Sequence, residues 1–330
     1  MKPYISIVIP FYNRERFVNR ALDSIYSQGL ELDKIEVICI DDCSPTMDNY
    51  VALCDYKYEG EHPSNLRVIR HETNKCQGGA RNTGISNAKG KWIIHLDSDD
   101  YFIAGSLISL YNQLTENEVL DILMYDYATN SNNTNLSERF PVLQKIDGLS
   151  LVKRFSIPWV SWCYAFKRSF LMDKGLKFAE NVRVEDGDYV YRAVMNASSI
   201  AFTPLSVVHY AIQEDSVSSL PKDIIRVELV TKMAFRFKKI GEDYLSIDSE
   251  AAAVCLNICD NILRGLLSLY IGILPRKDIV YLLETYNAYE GSSLILHFAY
   301  NYPRLFSLFC LIFRPIYRLR YKNIVDSKEK

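Results

Sequence analysis

No two of the eight cysteines are spaced as CxxC, and several sit inside apolar runs such as "VICI". That pattern leaves reduced, mostly buried thiols of a cytosolic protein as the expectation. Basic charge is not in surplus either. The 38 Lys and Arg stand against 40 Asp and Glu, for a net charge of -2. No nucleic-acid partner is expected from that balance. The opening "MKPYISIVIPFYNRERF" carries an apolar run too short for a signal peptide, with charges directly after it, so no secretion is expected. Internal repeats and long low-complexity tracts are absent. "ATNSNNTNLSER" (Ala128–Arg139) reads as a polar loop. What remains is ordinary globular composition over 330 residues, 48% apolar and 24% charged. One large domain or two ordinary ones fit that length. Tyrosine is abundant at 23 residues, which weakly suits polar ligands.

Along the chain, short β-branched runs alternate with helical patterns. "YISIVIP" is a strand buried on both faces, and "NRERFVNRALDSIYSQ" follows with Phe17, Ala21, Leu22 and Ile25 at helical spacing. "KIEVICIDDCS", "NLRVIRHE", "KWIIHLDSDD" and "LDILMYDY" are four more strands, with helices after several of them. Nearly all-apolar strands separated by helices predict a mostly parallel sheet covered on both faces. From about Leu220 the pattern becomes helical throughout.

Two acidic clusters fall at strand ends: Asp41 and Asp42, then Asp97, Asp99 and Asp100. Open α/β sheets bind ligands at the carboxyl ends of their strands. Like charges this close repel, and a bound cation would relieve that repulsion. Each cluster also has a plain reading as a helix cap or turn. Two clusters in one sheet favour a shared site.

The segments "SIVIPFYNRERFVNRALDSI", "VICIDDCSPT", "GGARNTGISNAKGKWIIHLDSDD" and "VEDGDYVYRA" together resemble the family 2 glycosyltransferases of the GT-A fold, in that family's order. The resemblance covers roughly the first two thirds of the chain. It implies a GT-A (Rossmann-like) domain over 1–220, with a donor half to about 125 and an acceptor half over 126–220. A helical C-terminal region would occupy 221–330. It also implies inverting transfer of a sugar from a nucleotide-sugar donor, most often a UDP-sugar, to a hydroxyl of a glycan or lipid-linked glycan in surface polysaccharide synthesis. Pro10, Tyr12, Asn13, Asp41 and Asp42 would border the nucleotide base. A carboxylate can accept the uracil N3–H, and Tyr12 can stack on the ring. Arg81 matches the position that reaches the donor ribose or diphosphate, and its forked donors suit phosphate oxygens. "DSD" at Asp97–Asp99 resembles the DxD motif. Residues two apart in an extended segment face one way, so Asp99 is assigned to Mn²⁺ or Mg²⁺, Asp97 to ribose or metal, and Asp100 to a supporting place. Asp186 in "VEDGD" would be the base, with Glu185 helping it. The plain alternative there is a pair of acids favouring a helix N-terminus. Trp159 and Trp162 lie where acceptors bind in the family, although core packing is the common fate of tryptophan.

The chain departs from the family after the base helix. Tyr210 and Ser216 fit, but Ala211 and Gln213 stand where arginine is frequent, leaving His209 or a lysine elsewhere to contribute. A sugar nucleotidyltransferase would begin with a Gly-rich basic loop, and here the first strand ends in "PFYNRER". The Lys-Ser/Thr ending of a Walker loop is also missing after the glycines. A phospho-acceptor signalling domain fits the long second half poorly, and a non-catalytic binding module would lack the base. The tail from Asn301 to Lys330 holds seven Lys and Arg against two Asp and Glu, a surplus of five positive charges. His297, Asn301, Pro303 and Arg304 interrupt its apolar run, so a spanning helix is not expected. Two readings stand: an interfacial helix with snorkelling Arg314, Arg318 and Arg320, peripheral on the cytoplasmic face of a membrane, or a packed final helix with a basic end.

Overall fold

The computed structural model describes residues 2–129, 136–211, 224–272, 274–286 and 293–320. The chain divides into two compact units, Met1–Ser216 and Val217–Lys330. The first unit runs β1 (Ile5–Phe11), α1 (Val18–Tyr26), β2 (Ile35–Asp41), α2 (Asp48–Cys54), β3 (Leu66–Arg70), α3 (Cys76–Asn87), β4 (Trp92–His95), β5 (Tyr101–Phe102), α4 (Ser106–Glu116), β6 (Ile122–Thr129), α5 (Gly148–Arg154), β7 (Tyr164–Lys167), α6 (Arg168–Asp173), α7 (Asp186–Asn196) and β8 (Ile200–Tyr210).

Among the described residues one sheet has the order β3-β2-β1-β4-β7-β6-β8-β5. Pairings β3–β2, β2–β1 and β1–β4 are parallel, as is β6–β8. β7 is antiparallel to both β4 and β6, and β5 is antiparallel to β8. The expected parallel sheet is therefore found over β3, β2, β1 and β4, and the remaining strands are mixed. β1, β2 and β4 are buried along their whole lengths, and Ile and Val are their commonest residues. The β1–β2 register sets Pro10 beside Ile40 and Phe11 beside Asp41, so the ends of both strands reach one edge.

Close packing of α3 on this sheet explains its glycines. A Cβ at Gly84 would lie 2.2 Å from Val8 Cγ1 and 3.1 Å from Ile40 Cδ1. One at Gly78 would lie 2.3 Å from the Ala179 carbonyl oxygen and 2.9 Å from Glu185 Cγ. α3 thus approaches both the first strands and the segment before α7. That approach carries Arg81 inward.

The second unit holds α8 (Ile224–Tyr244), α9 (Ser249–Gly272), α10 (Arg276–Thr285), α11 (Leu294–Asn301) and α12 (Pro303–Arg320). Its core includes Phe237, Cys255, Ile279, Leu283, Leu296, Phe306 and Cys310, all buried. All eight cysteines are free thiols and five of them are buried, Cys39, Cys163, Cys255, Cys259 and Cys310. Among the described residues no helix is long and apolar enough to cross a membrane.

Candidate active site

The first part of the candidate site forms where β1 and β2 finish. Asn13 takes a left-handed conformation, φ 53°, and its N–H donates to Ser44 Oγ at 2.9 Å. Tyr12 beside it is 47% exposed. Asp41 is buried and its carboxylate is used up inside the protein. Oδ1 accepts from the Ser44 hydroxyl and from Asn49 Nδ2 at 3.0 Å, and Oδ2 accepts from Arg70 Nη1. Asp41 therefore shapes the loop through bonds to Ser44, Asn49 and Arg70. Asp42 differs. Its Oδ1 receives the Lys75 N–H at 2.9 Å and faces His71 Nδ1 at 2.6 Å. Oδ2 takes no hydrogen bond from the described residues. Burial raises the Asp42 carboxyl, against the lowering effect of the Lys75 amide and His71.

The second cluster is a turn rather than an extended segment. β4 stops at His95, and the Asp100 N–H returns to the Asp97 carbonyl at 3.0 Å. The face-sharing argument for residues two apart in a strand does not hold here. Asp97 is nonetheless close enough that its charge is felt at Asp99. Asp99 is raised first by burial and then by Asp97, with Arg14 and Arg20 opposing. Asp97 Oδ1 accepts from Gln77 Nε2 at 2.7 Å and Arg81 Nη2 at 2.6 Å, leaving Oδ2 open. Asp100 is buried with Oδ1 on the Ala211 N–H at 2.8 Å and Oδ2 unpartnered. Burial, then Asp97, pushes its carboxyl up to about 9, so it keeps its proton at neutral pH. It pins the end of β8 to the turn.

The third part is the start of α7. Glu185 occupies the N-cap place without a side-chain capping bond. The Glu185 carboxylate accepts from Arg81 Nη1 at 2.9 Å, and Asp186 Oδ1 accepts from the same nitrogen at 2.6 Å. The Asp186 side chain keeps 22% exposure. Burial pushes its carboxyl up to about 7. Arg81 opposes that shift, while Glu185 and Asp97 add to it. Arg81 itself is 0% exposed. The structure encloses it among carboxylates where the sequence predicts an open phosphate contact.

Trp162 is 3% exposed, stacked on Tyr210 with ring centroids 5.5 Å apart and edge-on to Tyr127. Its ring packs against Tyr210, and Trp159 is half-buried. His209 stacks on Tyr101 at 4.6 Å, and Ala211 serves through its backbone. Gln213 and Ser216 lie outside the described residues. No group of three or more His, Cys, Asp or Glu side chains among the described residues forms a ready metal cage.

Sequence reading missed His71, Gln77, Arg20 and Arg70. His71 directly follows β3, so the strand-end rule that selects Asp42 also selects it. Gln77 sits one helical turn before Arg81 on α3 and therefore faces the same way. Arg20 donates to the Asp99 carbonyl from α1, a contact with no local signal.

The model of the family described as "Glycosyl transferase family 2" matches residues 6–178. An uncharacterised glycosyltransferase of Bacillus subtilis, EpsJ, is 28% identical over 67% of the chain and 64% of its own length. A poly(ribitol-phosphate) β-glucosyltransferase of Bacillus spizizenii is 30% identical over 66% of the chain and 34% of its own length. The chain thus aligns with less than two thirds of either relative. In structure it is similar to residues 1–349 of Staphylococcus aureus TarS solved with UDP-GlcNAc, with TM-score 0.69 and 18% identity over 92% of this chain and 89% of that one. At that identity the likeness speaks for the fold.

Proposed function

The chain belongs to the family 2 glycosyltransferases, and on that premise we propose that it transfers a sugar, with inversion, from a UDP-sugar to a hydroxyl of a surface polysaccharide or teichoic-acid-type acceptor. The observation that carries this reading is the convergence at Arg81 of the Asp97–Asp100 turn and the first acids of α7. A donor site and a base thereby stand side by side. Relatives named as a poly(ribitol-phosphate) β-glucosyltransferase and a minor teichoic acid biosynthesis protein support the acceptor class.

In this reading the uridine lies along Pro10, Tyr12 and Asn13, with the open oxygen of Asp42 accepting the uracil N3–H. The diphosphate lies toward the Asp97 turn. Asp99 and Asp97 Oδ2 would hold Mn²⁺ or Mg²⁺. The fit rests on burial and then the neighbouring Asp97 charge, which raise Asp99, and on the Asp97 Oδ2 that no described donor occupies. When bound, such a cation offsets charge on the departing diphosphate. The acceptor oxygen attacks the anomeric carbon as the bond from that carbon to the phosphate oxygen breaks. Asp186 takes the hydroxyl proton. A carboxyl that titrates near neutrality is suited to this, since it is both ionised and basic enough at working pH. Trp159 and the Tyr210 ring held by Trp162 would border the acceptor.

The second unit supports a peripheral membrane contact, which would bring the enzyme to a lipid-linked acceptor on the cytoplasmic face. Leu294 is 87% exposed, Leu305 57% and Ile312 69%, along α11 and α12. Arg314 is drawn onto the Leu274 carbonyl rather than outward. The side chains of Arg318 and Arg320 lie outside the described residues.

A donor screen tests the proposal. UDP-glucose, UDP-GlcNAc and UDP-galactose are incubated with Mn²⁺ or Mg²⁺ and poly(ribitol phosphate), or a lipid-linked glycan, and UDP release is followed. Acceptor-dependent release with one donor is expected. Formation of sugar nucleotide from UTP and sugar 1-phosphate, without transfer, would overturn it.

A further inference from the structure

Arg81 has a role that its sequence motif does not disclose. Its guanidinium is fully enclosed, with the Phe178 ring 5.2 Å from Cζ. Nη2 binds Asp97 at 2.6 Å, and Nη1 binds Asp186 at 2.6 Å and Glu185 at 2.9 Å. Asp97 and the α7 acids are more than eighty residues apart in sequence, yet one planar group fixes both. We propose that Arg81 is a positioning residue that sets the base Asp186 against the Asp97 turn and does not contact the donor. This rests on the assignment of Asp186 as base.

The reasoning is geometric. A guanidinium is a rigid fork, so oxygens bound to its two Nη atoms are held at a fixed separation. To reach a phosphate, Arg81 would have to leave three carboxylates and expose a buried charge. Leaving them would strip three carboxylates of their shared cation, Asp186 among them in a site where burial already disfavours its ionised form. Gln77 braces the same Asp97 oxygen from the preceding turn of α3, so the fork is aimed by its own helix. The tight packing of Gly78 on Ala179 and Glu185 fixes the distance from α3 to α7. The donor end and the acceptor end are thereby built as one unit.

Arg81→Lys is the test. It keeps the charge but cannot span the two groups. The expected result is UDP affinity with Mn²⁺ and donor KM both within about twofold of the parent, with kcat lower by about 10²-fold, the scale of a misplaced catalytic group. A tenfold or greater loss of UDP affinity overturns the proposal, and so does an unchanged kcat. If the variant does not fold, a crystal structure of the native protein with UDP-sugar decides. Arg81 on Asp97 and Asp186 supports the proposal, and Arg81 on a phosphate oxygen overturns it. Failure of the base assignment is read separately, from transfer by Asp186→Asn.

Discussion

His71 Nδ1 stands 2.6 Å from Asp42 Oδ1 while its Nε2 stands 2.8 Å from Thr83 Oγ1. One imidazole therefore joins the ends of β2 and β3 to α3. With Oδ1 held by the ring and by the Lys75 N–H, the carboxylate has one rotamer and one oxygen left. His71→Phe keeps the ring's shape and removes both bonds. UDP affinity should fall about tenfold, the scale of one hydrogen bond to a charged group at about 1.5 kcal/mol, with kcat at saturating donor little changed. Calorimetric titration with UDP measures it. Parental affinity would remove the Asp42–His71 pair from donor recognition.

Asp97 and Asp99 test the cation. Melting temperature should rise when Mn²⁺ and UDP are added together to the native protein, because a ligand of the folded state stabilises it. Asp99→Asn should lose that rise and lose transfer. Without the ion its melting temperature should match or exceed the parent's, since a buried and repelled charge has gone. Full transfer in excess chelator would sink the assignment.

The donor half was legible because it is local. Strands buried on both faces write themselves as runs such as "ISIVI", and the acids mark where those runs end. The glycines of "GGARNTG" permit the close packing seen at Gly78 and Gly84. β7 and β8 were not legible, because their aromatic segments show neither period cleanly, and β5 is too short to show one. Asp41 and Arg81 were legible as important but not in role. Arg81 meets Glu185 across 104 residues and Asp41 meets Arg70 across 29. Nothing near either residue announces a buried partner at that distance. The DSD turn was read as extended because spacing alone does not show where β4 ends.

Gly84→Ala tests the α3 packing. Its Cβ would lie 2.2 Å from Val8 Cγ1, deep in the sheet interface. Overpacking of this kind costs about 1–3 kcal/mol. Chemical denaturation should show a lower midpoint with an unchanged slope. A midpoint equal to the parent's would mean that α3 shifts freely on the sheet.

Membrane contact is best tested by substitution, not by removing the tail. Leu296, Phe306 and Cys310 of α11 and α12 belong to the second unit's core, so truncation before them would unfold that unit. Leu305→Glu with Ile312→Glu changes only exposed positions. Melting temperature should hold while sedimentation with anionic vesicles drops, and parental binding should weaken with salt as basic side chains are screened. Equal sedimentation of parent and variant would favour the packed-helix reading.

Asp186 separates a base from a helix-terminal acid. Asp186→Asn keeps the shape and still suits a helix N-terminus, since Asn caps as well as Asp. It should bind UDP normally and lose transfer by roughly 10²–10⁴-fold, the range of a general base. The pH dependence adds a second check. A base titrating at about 7 is ionised only above that value, so the native kcat should climb about tenfold per pH unit below it and level off above. Stability has the opposite sense. The folded state binds this proton more tightly than the unfolded chain does, so the native carboxyl is destabilising where it is ionised, above about pH 7, and that penalty fades as pH falls toward the ordinary carboxyl range. Asp186→Asn should therefore melt higher than the parent at pH 8, with the gap closing near pH 4. Near-parental transfer would remove Asp186 from the chemistry. Loss of UDP binding together with rate would instead make it part of the donor site.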